Sequence, residues 1–192
     1  MIAESYTIET EHDSGAWHQW LEGGYEVEKT ARAVAEYFLA NDASGKLKDK
    51  TIVTRNGRRF YAGNARLNKY LHIAQNLYIA KYGQKLFSDS LYAYDNGAVV
   101  PDVQENYSIM ISRDPCSDMD KDTAVFLDCV MALLENATLD ELIQISHEDS
   151  EWRLKNNHFE KKDQEMDSLS HIDEYREQYA DALLVLEGMA NA

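Results

Sequence analysis

The sequence predicts a mainly α fold (α+β): a compact helical domain with one small β-hairpin and a short extended segment. Apolar residues recur at the 3.6-residue helical period in several separate stretches. Between two of these stretches, Asn56-Gly57 separates the β-prone runs Thr51-Ile52-Val53-Thr54 and Arg59-Phe60-Tyr61. Hydrophobic residues make up 44% and aromatic residues 10% of the 192 residues, enough to bury one core with appendages.

The chain divides into an N-terminal arm (1–24), a helical domain (25–155) carrying an inserted basic hairpin (50–62), and an acidic linker with a C-terminal amphipathic helix (156–192). In the arm, Trp17, Trp20 and Leu21 sit at helical spacing and suggest a short docked helix. Tyr25 to Ala40 reads as the first helix, with Val27, Ala31, Val34, Ala35, Phe38 and Leu39 on its apolar face. In the hairpin, Asn-Gly tolerates the two positive φ angles of a type I′ turn. Asn64 to Tyr82 is the next helix, with Leu67, Tyr70, Leu71, Ala74, Leu77 and Tyr78 on one face and Gly83 as its stop. Asn96-Gly97 marks a turn, and Val99-Val100-Pro101 reads as extended.

A loop from Ser112 to Asp120 leads to a helix near Asp122 to Glu135. Val125, Phe126, Cys129, Val130, Leu133 and Leu134 form its stripe. Thr138 and Glu141 have capping-box spacing and open a short helix through Leu142 and Ile145. Glu151 to Leu169 is charge-rich with little periodicity. Ser170 to Gly188 closes the chain as an amphipathic helix with Ile172, Tyr175, Tyr179, Leu183 and Leu186 on one side. That helix is expected to dock on the core, because an exposed apolar stripe invites aggregation.

Net charge is −15, which argues against nucleic-acid binding through a general basic face. The charge is uneven: Lys46 to Lys85 holds ten basic residues against Asp49 alone, whereas Ile111 onward holds twenty acids against seven bases. Arg55, Arg58 and Arg59 flank the Asn56-Gly57 turn and form a candidate docking tip. The bland alternative is pairing with the chain's own acidic half.

No Gly-rich phosphate loop and no G-x-S-x-G motif occurs. Cys129 lies on an apolar helix stripe and reads as a buried structural thiol, while Cys116 sits in a loop. His147-Glu148-Asp149, with Glu151 and His158, is the densest polar cluster, but its spacing does not match a metal-ligand set. No cofactor and no metal is expected. No apolar run approaches the roughly 20 residues of a membrane-spanning helix, so no membrane partner is expected. Met1 to His18 lacks the basic head and apolar stretch of a signal peptide, so a cytoplasmic setting is expected.

Three blocks in order resemble the Panacea domain of the SocA-like antitoxin and phage-associated protein family. Leu67-Asn68-Lys69-Tyr70-Leu71-His72-Ile73-Ala74 is similar to the family's L-Q-K-L-L-Y-Y-A helix. Leu91 through Tyr94-Asp95-Asn96-Gly97-Ala98-Val99-Val100-Pro101 is similar to A-W-x-x-G-P-V-V-P. Leu142 through Ser146-His147 to Trp152 is similar to L-x-x-x-[ST]-H-x-x-x-P-W. His72, Tyr94, Ala98 and Glu151 depart from the family pattern.

The resemblance implies a mainly helical domain that neutralises a protein partner, a toxin or a host defence protein, by stoichiometric binding and not as an enzyme. It supplies no catalytic residues to carry over. Candidate binding residues are Arg55, Arg58, Arg59, Tyr94, His147 and Trp152. A homodimer is compatible with the sequence. The alternative reading is an acidic, phage-encoded inhibitor that competes with nucleic acid on a host defence nuclease, because clustered carboxylates can imitate a phosphate backbone. A third reading is an enzyme or protease-linked regulator using the His147 cluster.

Overall fold

A computed structural model describes residues 29–116, 118–156 and 163–190. Among them, helices α1 (Ala31–Asn41), α2 (Ala62–Tyr82), α3 (Pro101–Met110), α4 (Lys121–Leu134), α5 (Leu139–Glu148), α6 (Ser150–Asn156), α7 (Ile172–Gln178) and α8 (Ala180–Ala190) dominate. Strands β1 (Ile52–Arg55) and β2 (Arg58–Tyr61) form one hairpin, and β3 (Tyr92–Tyr94), β4 (Gly97–Val99) and β5 (Gln164–Glu165) form a small antiparallel sheet. The mainly α fold with a small β part is as the sequence predicts.

The first helix starts later than its apolar pattern suggests. The Thr30 side chain accepts a hydrogen bond from the Ala33 amide, and Asp89 accepts one from the Ala31 amide, so two orphan donors of the first turn are satisfied there. Positions 25–28, including Val27, lie outside the described residues, as do Trp17, Trp20 and Leu21.

The β1–β2 hairpin has the expected register, with Arg55 opposite Arg58. Asn56 and Gly57 take φ of 50° and 72°, the two left-handed positions of a type I′ turn. The chain then enters α2, the central helix, whose Leu67, Leu71, Ala74 and Leu77 are fully buried. It packs against α1, α3, α4, α5 and α7 and is buried nearly all round. A single apolar face therefore understates it. Asn64, Asn68, His72 and Asn76, spaced by four, form a second, polar stripe that is also buried.

Two expectations need correction downstream. The Asn96-Gly97 turn closes a second hairpin, β3–β4, so the described residues hold two hairpins and not one. Pro101 does not continue an extended segment. It occupies the first turn of α3, where a missing amide proton costs nothing, with Asp102 beside it and Val103, Tyr107 and Met110 turned inward.

Helix α4 follows the expected stripe except at Val125, which is 40% exposed, while Leu127 is fully buried in its place. At α5 both halves of the Thr138–Glu141 capping box are present.

The last predicted helix is broken. A 3₁₀ turn, Ser168–His171, precedes α7, and the path bends at Tyr179 before α8. The bend lets α7 lie on α2 while α8 lies on α4, with Tyr175, Tyr179 and Leu186 buried. The predicted docking on the core is realised through those three residues. Strand β5 adds to the free edge of β3, so the charge-rich segment also joins the sheet.

Candidate functional site

The β3–β4 hairpin lies against α2 and α5, and the closest approach is made at Gly97. Its φ is 93°, and a Cβ there would meet the Ser146 hydroxyl at 2.5 Å and Lys69 Cε at 2.8 Å. The absence of a side chain lets the hairpin backbone reach two buried polar groups. The Ala98 amide donates to Ser146 Oγ at 2.8 Å, and Lys69 Nζ donates to the Ala98 carbonyl at 2.5 Å.

Ser146 continues into a closed network. Its hydroxyl meets His72 Nδ1 at 3.1 Å, and His72 Nε2 meets Asp149 Oδ2 at 3.0 Å. Asn76 donates to the same Asp149 oxygen at 2.6 Å, and the Trp152 amide donates to Asp149 Oδ1 at 2.7 Å. The contacts form a chain from the hairpin backbone to α6: Ala98 N–H to Ser146, Ser146 to His72 Nδ1, and His72 Nε2 to Asp149. Ser146, His72 and Asp149 are all 0% exposed. Burial pushes the Asp149 carboxyl up, but the hydrogen bond and charge of His72, with the Trp152 and Asn76 donors, outweigh it and hold it below its usual range.

Lys69 has no such compensation. It is 1% exposed, its single hydrogen-bond acceptor is the Ala98 carbonyl, and among the described residues it makes no ion pair. Burial lowers its pKa from 10.5 to about 7. It lines a cavity of about 380 Å³ beside β2, together with Arg58, Arg59, Phe60, Tyr94 and Gln104.

The candidate residues named from sequence fall into two groups. Arg55, Arg58, Arg59 and Tyr94 gather around the two hairpins. Arg55 pairs with Asp140 at 2.6 Å, and Arg58 sits 3.6 Å from Asp95 and 5.8 Å from the Tyr94 ring centroid. Arg59 makes no ion pair among the described residues and is exposed. Among the described residues the acidic partners of the tip are therefore Asp140, from the acidic half, and Asp95.

His147 and Trp152 form the other group and pack on each other, rings 4.2 Å apart and 19° from parallel. Trp152 is 5% exposed and donates from Nε1 to the Tyr94 carbonyl at 2.9 Å, which ties α6 to β3. Burial, with the charges of Lys69 and Arg55, lowers the His147 pKa to about 4. The polar cluster around His147 does not converge. Glu148 accepts from Gln144 at the surface, Asp149 turns inward to His72, and Glu151 holds His171 and the Asp167 amide. His158 lies outside the described residues. Among the described residues no three His, Cys, Asp or Glu side chains gather as metal ligands.

Lys69, His72 and Ser146 were not singled out from sequence. Part of the signal was available: Asn64, Asn68, His72 and Asn76 recur at four-residue spacing in a helix rich in Leu, Ile and Ala, whereas no local pattern marks Lys69 or Ser146. A solvated face would carry Glu, Lys and Arg more evenly.

Other basic residues of the middle segment hold one helix end. Lys46 Nζ donates to the Glu135 carbonyl, Arg66 to the Ala137 carbonyl, and the Tyr70 hydroxyl to the Leu134 carbonyl. These donors satisfy carbonyls at the C-terminus of α4, where cations are favoured.

No helix among the described residues is long and apolar enough to cross a membrane. No curated protein and no solved structure matches the chain. The family model for the antitoxin SocA-like Panacea domain matches residues 67–153. That span runs from the second turn of α2, through the β3–β4 hairpin and α3 to α5, and ends in α6 beside Trp152. It contains Lys69, the whole Ser146–His72–Asp149 network and Gly97, while hairpin β1–β2 and the segment from β5 onward flank it. Residues 67–153 of this chain are therefore similar to the Panacea domain of the SocA-like antitoxin family.

Proposed function

We propose that this chain is an antitoxin that neutralises a protein toxin by one-to-one binding, without turnover, and that hairpin β1–β2 is part of its docking surface. The observation that carries the reading is the match to the antitoxin SocA-like Panacea domain. The polar network supports a scaffold rather than a reaction centre. Ser146, His72 and Asp149 have hydrolytic residue types, but all three are sealed from solvent and their hydrogen-bonding groups are spent on one another and on the backbone. The hairpin supports the docking surface. Arg59 is exposed and unpaired among the described residues, and Arg55 pairs with the solvent-exposed Asp140, where an ion pair is worth little, while Arg58 reaches the buried Asp95 only at 3.6 Å. Arg59 and the Arg55 pair are therefore free to exchange for carboxylates on a partner.

The test is a calorimetric titration of the co-encoded toxin with the antitoxin, with and without chelator, alongside the Arg55→Glu/Arg58→Glu/Arg59→Glu variant. A one-to-one endpoint insensitive to chelator is expected. The variant should associate more slowly by about tenfold, with its melting temperature nearly unchanged. Complete neutralisation at sub-stoichiometric amounts would mean catalysis. Equal association rates would remove the hairpin from the docking surface.

A further inference from the structure

The cavity beside β2 is furnished almost wholly with donors. The acceptors of its amide side chains are already taken: Asn68 Oδ1 by the Val100 amide, Gln104 Oε1 by Asn68 Nδ2, and Asn96 Oδ1 by Asn56 Nδ2. That leaves the amide NH₂ groups of Gln104 and Asn96 and the guanidinium of Arg59 to offer protons. Lys69 lines the same cavity, 1% exposed, with the Ala98 carbonyl as its single acceptor and no counter-ion among the described residues. Buried cations are ordinarily paired, because removing an ion from water costs several kcal/mol. Arg58 adds a third cation at the rim, turned partly toward Asp95. The site lies in the one strongly basic stretch of an otherwise acidic chain.

We propose that this cavity binds a small phosphate monoester of nucleotide size, with Lys69 and Arg59 on the phosphate and the rings of Phe60 and Tyr94 against the organic part. Two guanidiniums, a lysine that a bound anion would keep protonated, and two amide donors suit a dianionic phosphate better than a single carboxylate. A volume of about 380 Å³ exceeds what a lone phosphate fills and falls within the range of small-molecule sites. Both rings line the same space, so the ligand carries a flat apolar portion beside its charge. The site shares Arg58 and Arg59 with the proposed docking surface and adds the buried Lys69, so Lys69→Met separates ligand binding from toxin association.

Isothermal titration of the full chain with adenosine monophosphate, inorganic phosphate and adenosine tests the site. Adenosine monophosphate should bind, inorganic phosphate more weakly, and adenosine not at all. Lys69→Met should abolish binding while keeping the fold, read from an unchanged circular dichroism spectrum. Arg59→Ala should weaken it by about tenfold or more, the loss expected for one charge-assisted contact. Lys121→Ala removes a cation of α4 outside the cavity and should leave affinity unchanged. Equal binding of inorganic phosphate and adenosine monophosphate would overturn the organic half of the proposal. No binding of either at millimolar concentration, or undiminished binding by Arg59→Ala, would overturn it entirely. A Glu-rich peptide displacing adenosine monophosphate with higher affinity would reassign the cavity to a protein partner.

Discussion

At the scale of single residues, Lys69 is the most consequential group. Its folded pKa lies near 7 against 10.5 when solvated, because burial disfavours the ammonium. Between those values the unfolded chain binds the extra proton, so stability must rise with pH across that window. The penalty is full below pH 7 and gone above about pH 10.5. The groups around it are Arg58 and Arg59 from β2, Tyr94 and Asp95 from the β3–β4 turn, and His147 from α5. His147, whose pKa is lowered to about 4, adds a rise between that value and its ordinary 6.5. Buried Tyr175, Tyr179 and Tyr107, whose hydroxyls are all pushed up, reverse the trend above pH 10, where unfolded tyrosines ionise. Thermal unfolding of wild type and Lys69→Met from pH 6 to pH 10 should therefore converge: the variant melts higher at pH 6, and the gap closes by pH 10. Parallel curves would count against a buried, uncompensated lysine.

Asp149 belongs to the same scale. Replacing it by Ala leaves His72, Asn76 and the Trp152 amide without their shared acceptor, inside a site where Asp149, His72 and Asn76 are all fully buried. Breaking a buried pair from one side costs about 3–5 kcal/mol, and a loss of that size is expected by denaturant titration. Asp149→Asn, which keeps an acceptor oxygen, should lose less. A loss under about 1 kcal/mol for Asp149→Ala would mean that water enters the network.

At the scale of elements, α2 organises the fold. Its apolar residues were legible because Leu67, Tyr70, Leu71, Ala74 and Leu77 keep the helical period. Leu71→Asp places an unpaired carboxylate where the native side chain is fully buried. A destabilisation above about 4 kcal/mol is expected, enough to prevent folding of a marginal domain. An unchanged melting temperature would remove α2 from the centre of the core. The hairpin at Asn56-Gly57 and the capping box at Thr138 were equally legible, since each is set by residues within four positions of one another. Helix α3 was not. Val99-Val100-Pro101 looks extended locally, and only the burial of Val103, Tyr107 and Met110 against α1 and α2 shows that Pro101 opens a helix.

At the scale of the molecule, the segment after the Panacea-like region packs on the rest of the described fold. Strand β5 extends the sheet at β3, α7 covers α2, and α8 covers α4. Tyr175, 0% exposed, and Tyr179, 6% exposed, reach the neighbourhood of Asp149 and Asn76, so the tail also seals the polar network. A chain ending at Leu169 should expose that network and the apolar surface under Tyr175, Tyr179 and Leu186. Loss of the cooperative thermal transition and binding of a hydrophobic dye are expected. A sharp transition at the wild-type temperature would make the tail an independent appendage.

The sequence by itself determined what depends on neighbours in the chain: helix periods, the type I′ turn, the capping box, and the ordered blocks that resemble the Panacea domain. Those features arise from backbone dihedrals and spacings of two to four residues, which a sequence displays directly. Only the tertiary structure decided which polar residues matter. His72, Ser146 and Asp149 are separated by as many as 77 positions and meet because Gly97 lets a hairpin close on α2 and α5. His147, conspicuous in sequence, turns out to pack on Trp152, while its neighbour Ser146 points into the network. The reason is helical geometry. Adjacent residues on α5 differ in direction by about 100°, so one-residue differences decide between core and rim, and burial of the helix face makes that choice.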